Sequence, residues 1–453
     1  MTGFLEKIFF YLLVFCLPLQ TRKVFYQWGD GFNEWSSAYL YLTDLLLILI
    51  FLFWAWRKRK EIFFKEGVAF RPAWFAQKTK KTGFWLVVFL IIGLISLVQA
   101  KNIQLGFYSW FKLLEMAGLF FYLKYNFKPL FNFKRLAQVL VASGFWQALI
   151  GLAQYFNQKS LGLWYFKESS LNPEIAGVAK IVVDEVAFIR AYGALPHPNL
   201  LAAFLFLSIF FFYFLWLKED SFFIKDCFGM TVFGILLVAF WLTFSRLIIA
   251  VFILASLLFF VWNYLKKPRL RKRTTGLLIL FIVFCSLFAF LLWPEISTRF
   301  SISLTEQAVG LRAFYNQNAL SIIGEHPWLG VGLGNFVWGI RETLYLLAGW
   351  LHQPVHNIYL LMASETGLIG LIVFLFFVFQ LLRTGRKRTR LSRNFSSGPL
   401  RSFQSLATTC LLFVLCSFLF IGLFDHFFWT LQQGQLIFWL ILGLMAGQRL
   451  RAI

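Results

Sequence analysis

A histidine and an asparagine, His356 and Asn357, stand at the mouth of an apolar run that holds Glu365, Gly367 and Gly370. Pro354 two residues earlier fixes the entry, and Asn357 can cap the first backbone N–H groups of a helix. The positive end of a helix disfavours an imidazolium, so His356 is expected to be neutral near pH 7. A neutral imidazole within reach of a hydroxyl can take its proton during glycosyl or acyl transfer. The alternative is an interfacial histidine bonded to a carbonyl. His352 and His356 have the spacing of a metal pair, but Pro354 lies between them and no carboxylate completes a ligand set, so no metal is expected. Ala363, Gly367 and Gly370 form a small-residue face suited to helix packing. Glu365 is ionisable within an apolar run, which marks it for function unless it pairs with a polar neighbour. Asp44 and Glu115 share that ambiguity.

Three arginines stand beside apolar runs. Arg190 leads into His197-Pro198-Asn199, Arg246 follows Ser245 between two apolar runs, and Arg312 lies in a helix expected over Thr305 to Ile323. A guanidinium is permanently charged and offers a planar fork that binds phosphate through two N–H groups. Several such groups converging at a membrane surface suit a lipid-linked phosphate or diphosphate. Singly, each can instead reach up to lipid headgroups. Asp425-His426, in the last turn between apolar runs, is in a position to approach the same place.

The elements that must position these residues are membrane helices. Of the 453 residues 60% are hydrophobic and 14% charged, against about a quarter charged in a soluble domain. Twelve spans are expected near 5–20, 37–56, 84–100, 105–123, 136–156, 198–217, 227–244, 246–264, 276–293, 356–382, 405–424 and 428–447, each long enough to cross about 30 Å of hydrocarbon. The fold class is therefore all-α, a single polytopic membrane domain. The net charge of +23 falls in short clusters between the runs, which argues for topology signals and anionic lipid rather than nucleic acid. With both ends in the cytoplasm, 31 of the 43 lysines and arginines fall on the cytoplasmic side and 11 outside. Arg190, Arg246 and Arg312 belong to the outer group, so they are not there to set orientation. Two outer loops are long, 157–196 and 294–355, and long loops among short ones usually carry function. The larger holds Glu325-His326-Pro327-Trp328-Leu329-Gly330-Val331-Gly332-Leu333-Gly334-Asn335, a glycine-rich stretch without a surrounding strand–turn–helix unit and so no dinucleotide site. The five cysteines lie in or beside apolar runs, with no C-x-x-C, and read as small hydrophobes. The first apolar run lacks a small-residue cleavage pattern and is taken as the first helix.

The pattern His-Asn, nine residues, Gly-x-x-Gly at His356, Asn357, Gly367 and Gly370 resembles the signature of the O-antigen ligase and O-antigen polymerase superfamily of bacterial membrane glycosyltransferases. Arg190 with Gly193 and Pro198-Asn199, Ser245-Arg246, and Arg312 upstream of His326-Pro327-Trp328-Leu329-Gly330 agree with it. The resemblance covers about 185 to 375 by motif and the whole chain by span number. It implies a GT-C-like membrane fold and a glycan donor on undecaprenyl diphosphate. The glycan would pass en bloc to an acceptor hydroxyl, on a lipid, glycan or protein, at the outer face of the inner membrane. No cofactor, nucleotide sugar or required metal is implied. Carried over by motif, Arg190, Arg246 and Arg312 would bind the diphosphate, and His356 would orient or deprotonate the acceptor, with Asn357, Gly367, Gly370, Asn199 and Glu365 in support. Ligase-like transfer is the preferred reading, a polymerase of the same superfamily the near alternative. A secondary transporter or lipid-glycan flippase is the more distant alternative; it predicts a repeat with broken helices.

Overall fold

The computed structural model describes residues 2–29, 31–63, 80–218, 227–298, 307–344, 348–394 and 399–447. Much of the basic segment 57–81, together with Lys225, Arg299, Thr305, Arg449 and Arg451, lies outside them. From the N-terminus, α1 (Thr2–Cys16) is followed by a hairpin of β1 (Arg22–Gln27) and β2 (Ser37–Tyr41), then by α2 (Leu42–Phe63), α3 (Lys80–Ser96), α4 (Ile103–Leu130) and α5 (Phe133–Asn157). A second hairpin, β3 (Lys180–Val183) and β4 (Val186–Ile189), precedes α6 (Pro198–Leu217), α7 (Cys227–Trp241), α8 (Arg246–Lys266) and α9 (Arg271–Leu291). Short α10 (Trp293–Thr298), then α11 (Gln307–Glu325) and the single turns α12 (Phe336–Gly339) and α13 (Arg341–Leu344) lead to long α14 (Ile358–Asn394). The chain continues through α15 (Pro399–Ile421), the turn α16 (Phe427–Thr430) and α17 (Gln432–Gly447).

The protein is 75% helical, and among the described residues six helices are long and apolar enough to cross a membrane: those at Thr82–Gln99, Phe133–Asn157, Pro198–Leu217, Arg246–Lys266, Pro268–Leu291 and Ile358–Gly385. It is a polytopic membrane protein. Helix α6 is its hub. Nearly every one of its positions is buried, and its phenylalanines pack on α5, α7, α8 and α15. A helix apolar all round must sit inside. Lipid tails are as apolar as these side chains, so what holds such helices together is close packing rather than escape from water. Polar side chains set the helix ends: Asn102 and Asn132 accept the N–H groups of Leu105 and Lys134 at the starts of α4 and α5 (3.0 and 2.8 Å).

Alternate connections gather at opposite ends. At one, Leu333 N–H donates to Ser96 Oγ (3.2 Å), Asn102 N–H to Asn335 Oδ1 (2.9 Å) and Asn33 Nδ2 to the His352 carbonyl (3.3 Å). At the other, Arg57 pairs with Glu6 (2.8 Å), and Lys267 reaches Thr409 (3.4 Å).

The two hairpins correct the all-α expectation. Ser37–Tyr41, expected to open the second span, is instead a strand paired with β1. A short run of aromatic and small residues fits strand or helix equally by periodicity, and pairing with Arg22–Gln27 decides it. Asp184 and Glu185, both at positive φ, turn β3 into β4. The second correction concerns Gly367. It lies at φ 71, ψ 174 and interrupts α14, so it is not part of a continuous helix-packing face. Gly370, one turn on, does face a helix, through Ile92 of α3.

Candidate functional site

Four turns and one helix converge at the end that carries the long loops. The first turn is the strap 190–199. It is hung from α5 by two glutamines seven residues apart: Gln154 Oε1 accepts Gly193 N–H (2.8 Å), Gln154 Nε2 donates to the Gly193 carbonyl (2.8 Å), and Gln147 Oε1 accepts Ala194 N–H (2.7 Å). His197 then caps α6, its Nδ1 accepting Asn199 N–H (3.2 Å) ahead of Pro198 at the first helical position.

The second turn is Thr243-Phe244-Ser245, between α7 and α8. Phe244 is held at φ 44, a left-handed conformation that costs a non-glycine residue on the order of 1–2 kcal/mol. Its buried ring and its neighbours' bonds hold it there. Ser245 does not cap α8; its hydroxyl donates to Asn199 Oδ1 (3.0 Å). Arg190 Nε donates to the Thr243 carbonyl (2.5 Å) and its Nη2 to Asn199 Oδ1 (2.9 Å). Asn199 Nδ2 donates in turn to Asp425 Oδ2 (2.9 Å). Arg190, Ser245 and Asp425 are buried, and one asparagine thus joins three turns. Arg246, half-buried, follows directly at the start of α8.

The third and fourth turns bring two histidines together. Asn357 caps α14, its Oδ1 accepting the N–H groups of Tyr359 (2.9 Å) and Leu360 (3.1 Å). His356, just before it, is half-buried. Its ring lies 5.9 Å from Tyr315 of α11, nearly parallel, and 4.9 Å from His426 at 81°. His356 Nδ1 is enclosed with no hydrogen-bond partner among the described residues, although the Pro354 carbonyl is near enough to favour a protonated ring. His426 is buried, edge-on to Trp35 (5.2 Å), with Nδ1 2.7 Å from Thr430 Oγ1. The Thr430 hydroxyl also lies 3.2 Å from the His426 carbonyl, and the tautomer of the ring sets which partner donates in the Nδ1–Oγ1 bond. Asp425 Oδ1 accepts its neighbour's own N–H (2.8 Å).

All three histidines lie outside the membrane-spanning segments, and all are held neutral. Enclosure lowers His356 below its ordinary value; Asp425 opposes this and Arg312 adds to it. The cause thus differs from the helix-end effect inferred from sequence. His426 is pushed well down by enclosure, then by His356 and Arg312. His197 is pushed down to about 3 by enclosure and Arg190, against Asp425. Arg312 itself is exposed on α11 and charges the field that both His356 and His426 feel.

Glu365 sits one layer deeper. It is buried, accepts Trp429 Nε1 (3.3 Å), and has the backbone amides of Gly334 and Phe336 beside it. The break at Gly367 explains the glycine-rich loop. Leu368 N–H donates to the Pro327 carbonyl and Val331 N–H to the Ser364 carbonyl (both 2.8 Å), so the loop backbone lies in the break. A Cβ on Gly367 would stand 2.0 Å from the Trp328 carbonyl oxygen, and one on Gly330 2.3 Å from that of Ser364.

The O-antigen ligase family profile matches residues 231–375. The match spans about a third of the chain and supports the O-antigen ligase superfamily. No curated protein matches it. The matched segment contains Arg246, Arg312, His356, Asn357, Glu365 and both glycines of the Gly-x-x-Gly pair. Arg190, Asn199, Asp425 and His426 lie outside it, and the fold joins them to it. Of the residues singled out in the sequence, Arg190 and Asn199 share one network with Ser245, while His356 and Arg312 share another with His426; Asp425 links the two. Residues not singled out are Tyr315, Thr430, Gln147 and Gln154. The glutamines carry a signal in hindsight, as polar residues at helical spacing in an apolar run.

Proposed function

We propose that the protein transfers a preassembled glycan from undecaprenyl diphosphate to an acceptor hydroxyl at the outer face of the bacterial cytoplasmic membrane, in the manner of an O-antigen ligase. The family match supports glycan transfer in general; the carrier, the direction and the acceptor are proposed. It takes the chain as one membrane domain of twelve spans in a GT-C-like arrangement, termini in the cytoplasm, with 294–355 as the large outer loop. The observation that carries it is the neutral His356 beside His426, with Asp425 behind and the Arg312 charge in reach, among turns at one end of the bundle.

In this reading His356 accepts the proton of the acceptor hydroxyl as its oxygen forms a bond to the anomeric carbon of the donor. The bond from that carbon to the diphosphate oxygen breaks, and the diphosphate leaves with the electron pair. Arg312 and Arg246 bind the leaving group through paired N–H groups, which count for most where water is scarce. Arg190 orders the turns beside it and closes the diphosphate site. Asp425 stabilises the imidazolium formed in the step. The protonated ring then returns to neutral by releasing its proton to the outer solution.

Purified protein incubated in detergent with undecaprenyl-diphosphate-linked glycan tests this. Release of free undecaprenyl diphosphate, with glycan appearing on the acceptor, is the expected result. A donor that stays intact while crossing a reconstituted membrane would contradict it and favour transport.

A further inference from the structure

Beside the histidine pair lies a cavity of about 120 Å³ that the mechanism above does not use. Trp35, Pro354 and Thr430 form part of its wall. Trp35 touches the His426 ring and Thr430 bonds its Nδ1, so the cavity adjoins the reaction centre. Tyr39, Tyr41, Lys112, Glu365, Gln435 and Trp429 supply much of the rest of the wall.

The chemistry of that wall is particular. Tyr39 is 5% exposed, yet its hydroxyl has no hydrogen-bond partner among the described residues. A buried hydroxyl left unpaired costs about 1–3 kcal/mol, so such a group points to a ligand that satisfies it. Tyr41 accepts from Arg22 Nη1 (2.9 Å), which leaves its own proton to donate. Gln435 spends its amide N–H on the Trp429 carbonyl and keeps its oxygen. Glu365 accepts from Trp429 Nε1, with the backbone amides of Gly334 and Phe336 also beside it. Donors and acceptors therefore both face the space, beside flat aromatic faces. The charges argue against an anion. Lys112, the cation of the wall, is neutralised by Asp44, and Glu34 by Arg22, while Glu365 faces the same space. A diphosphate finds no free cation in that wall, whereas a neutral ring of hydroxyls, each both donor and acceptor, matches it.

We infer that this cavity is a subsite for one sugar ring of a glycan handled at the His356 centre. The inference rests on the proposed glycan transfer for its place in the reaction, but it is a statement about binding and can be read without turnover. The ring belongs either to the donor glycan or to a glycan acceptor.

Saturation-transfer NMR on the full-length protein in detergent, with the methyl glycosides of glucose, galactose, N-acetylglucosamine and rhamnose, tests the subsite. At least one glycoside should give a saturable signal. Tyr39→Phe, which removes only the unpaired hydroxyl, and Gln435→Ala should each weaken binding about five-fold, the worth of one neutral hydrogen bond. Trp164→Ala, which removes an exposed aromatic of the 157–196 loop, should leave it unchanged. No signal from any glycoside, or a signal indifferent to Tyr39→Phe and Gln435→Ala, overturns the inference. If the glycoside is displaced by undecaprenyl-diphosphate-linked glycan, the ring is the donor's; if it stays bound beside the donor, the ring is the acceptor's. Sugar binding without release of undecaprenyl diphosphate would sustain the subsite while refuting the transfer reaction.

Discussion

Asp425→Asn is the substitution that most sharply separates a working site from a packed turn. The carboxylate accepts two N–H groups, Asn199 Nδ2 at 2.9 Å and His426 N at 2.8 Å, and its charge favours the protonated form of His356. An asparagine keeps the shape but offers one acceptor oxygen, so its NH2 must face one of those donors. A hydrogen bond to a charged group is worth about 1.5–3 kcal/mol, which corresponds to about a 10- to 150-fold loss of rate if it is realised as the proton moves. Losing the negative charge also lowers the pKa of His356 further, making the ring a weaker base. Two effects are therefore expected together: a lower plateau of kcat/KM, and an acid limb displaced to lower pH. The assay counts undecaprenyl diphosphate released in proteoliposomes across pH 4.5–8. A plateau at the wild-type rate with an unmoved limb would refute the electrostatic link between Asp425 and His356.

Three further predictions accompany it. In the wild type the acid limb of kcat/KM should lie below pH 6.5, because folding lowers the His356 pKa below that of a free histidine. By the same sign, stability from the neutral ring is full above pH 6.5 and falls as pH drops through the folded value, and a pH series of thermal melts checks this. Arg312→Gln should move the acid limb upward, since Arg312 disfavours the imidazolium. Arg312→Lys should keep the limb in place and still lose at least about ten-fold in rate, because an ammonium lacks the guanidinium fork; pH profiles of both variants check the pair. Gly367→Ala should destabilise the protein by about 3 kcal/mol or more, since a Cβ would meet the Trp328 carbonyl at 2.0 Å from a positive-φ position. A fall in the detergent melting temperature measures it.

Much of the architecture was legible because a membrane writes long apolar runs into the chain. Helices overlap the expected stretches, and six of those described are long and apolar enough to cross a membrane, but the helix from Ile358 runs on to Asn394 and α2 begins only at Leu42. The break after Ser245 was legible too, since Arg246 would otherwise stand mid-run. The capping of α14 by Asn357 followed from residue type and place. Ser37–Tyr41 was not legible as a strand, because only its partner β1 distinguishes it from the start of α2. Gly367 read as a packing glycine; its φ of 71 is dictated by the backbone of Trp328, some forty residues away, which no local pattern reveals. The topology count singled out Arg190, Arg246 and Arg312 as outer cations without a topological duty. It could not say that Arg190 is tied to Thr243 and Asn199 while Arg312 stands exposed on α11. Asp425-His426 was visible as a polar pair in the last turn between apolar runs. Its approach to His356 is a product of how α14, α15 and α17 pack, and it needed the fold.

The central claim is that His356 takes the acceptor's proton at this cluster. Its most direct test is single-turnover transfer from undecaprenyl-diphosphate-linked glycan by wild type and His356→Ala, with donor binding measured in parallel. The expected result is a rate reduced by about 10²- to 10⁴-fold, the usual worth of a general base, with donor binding retained. Transfer by His356→Ala at the wild-type rate would contradict the account.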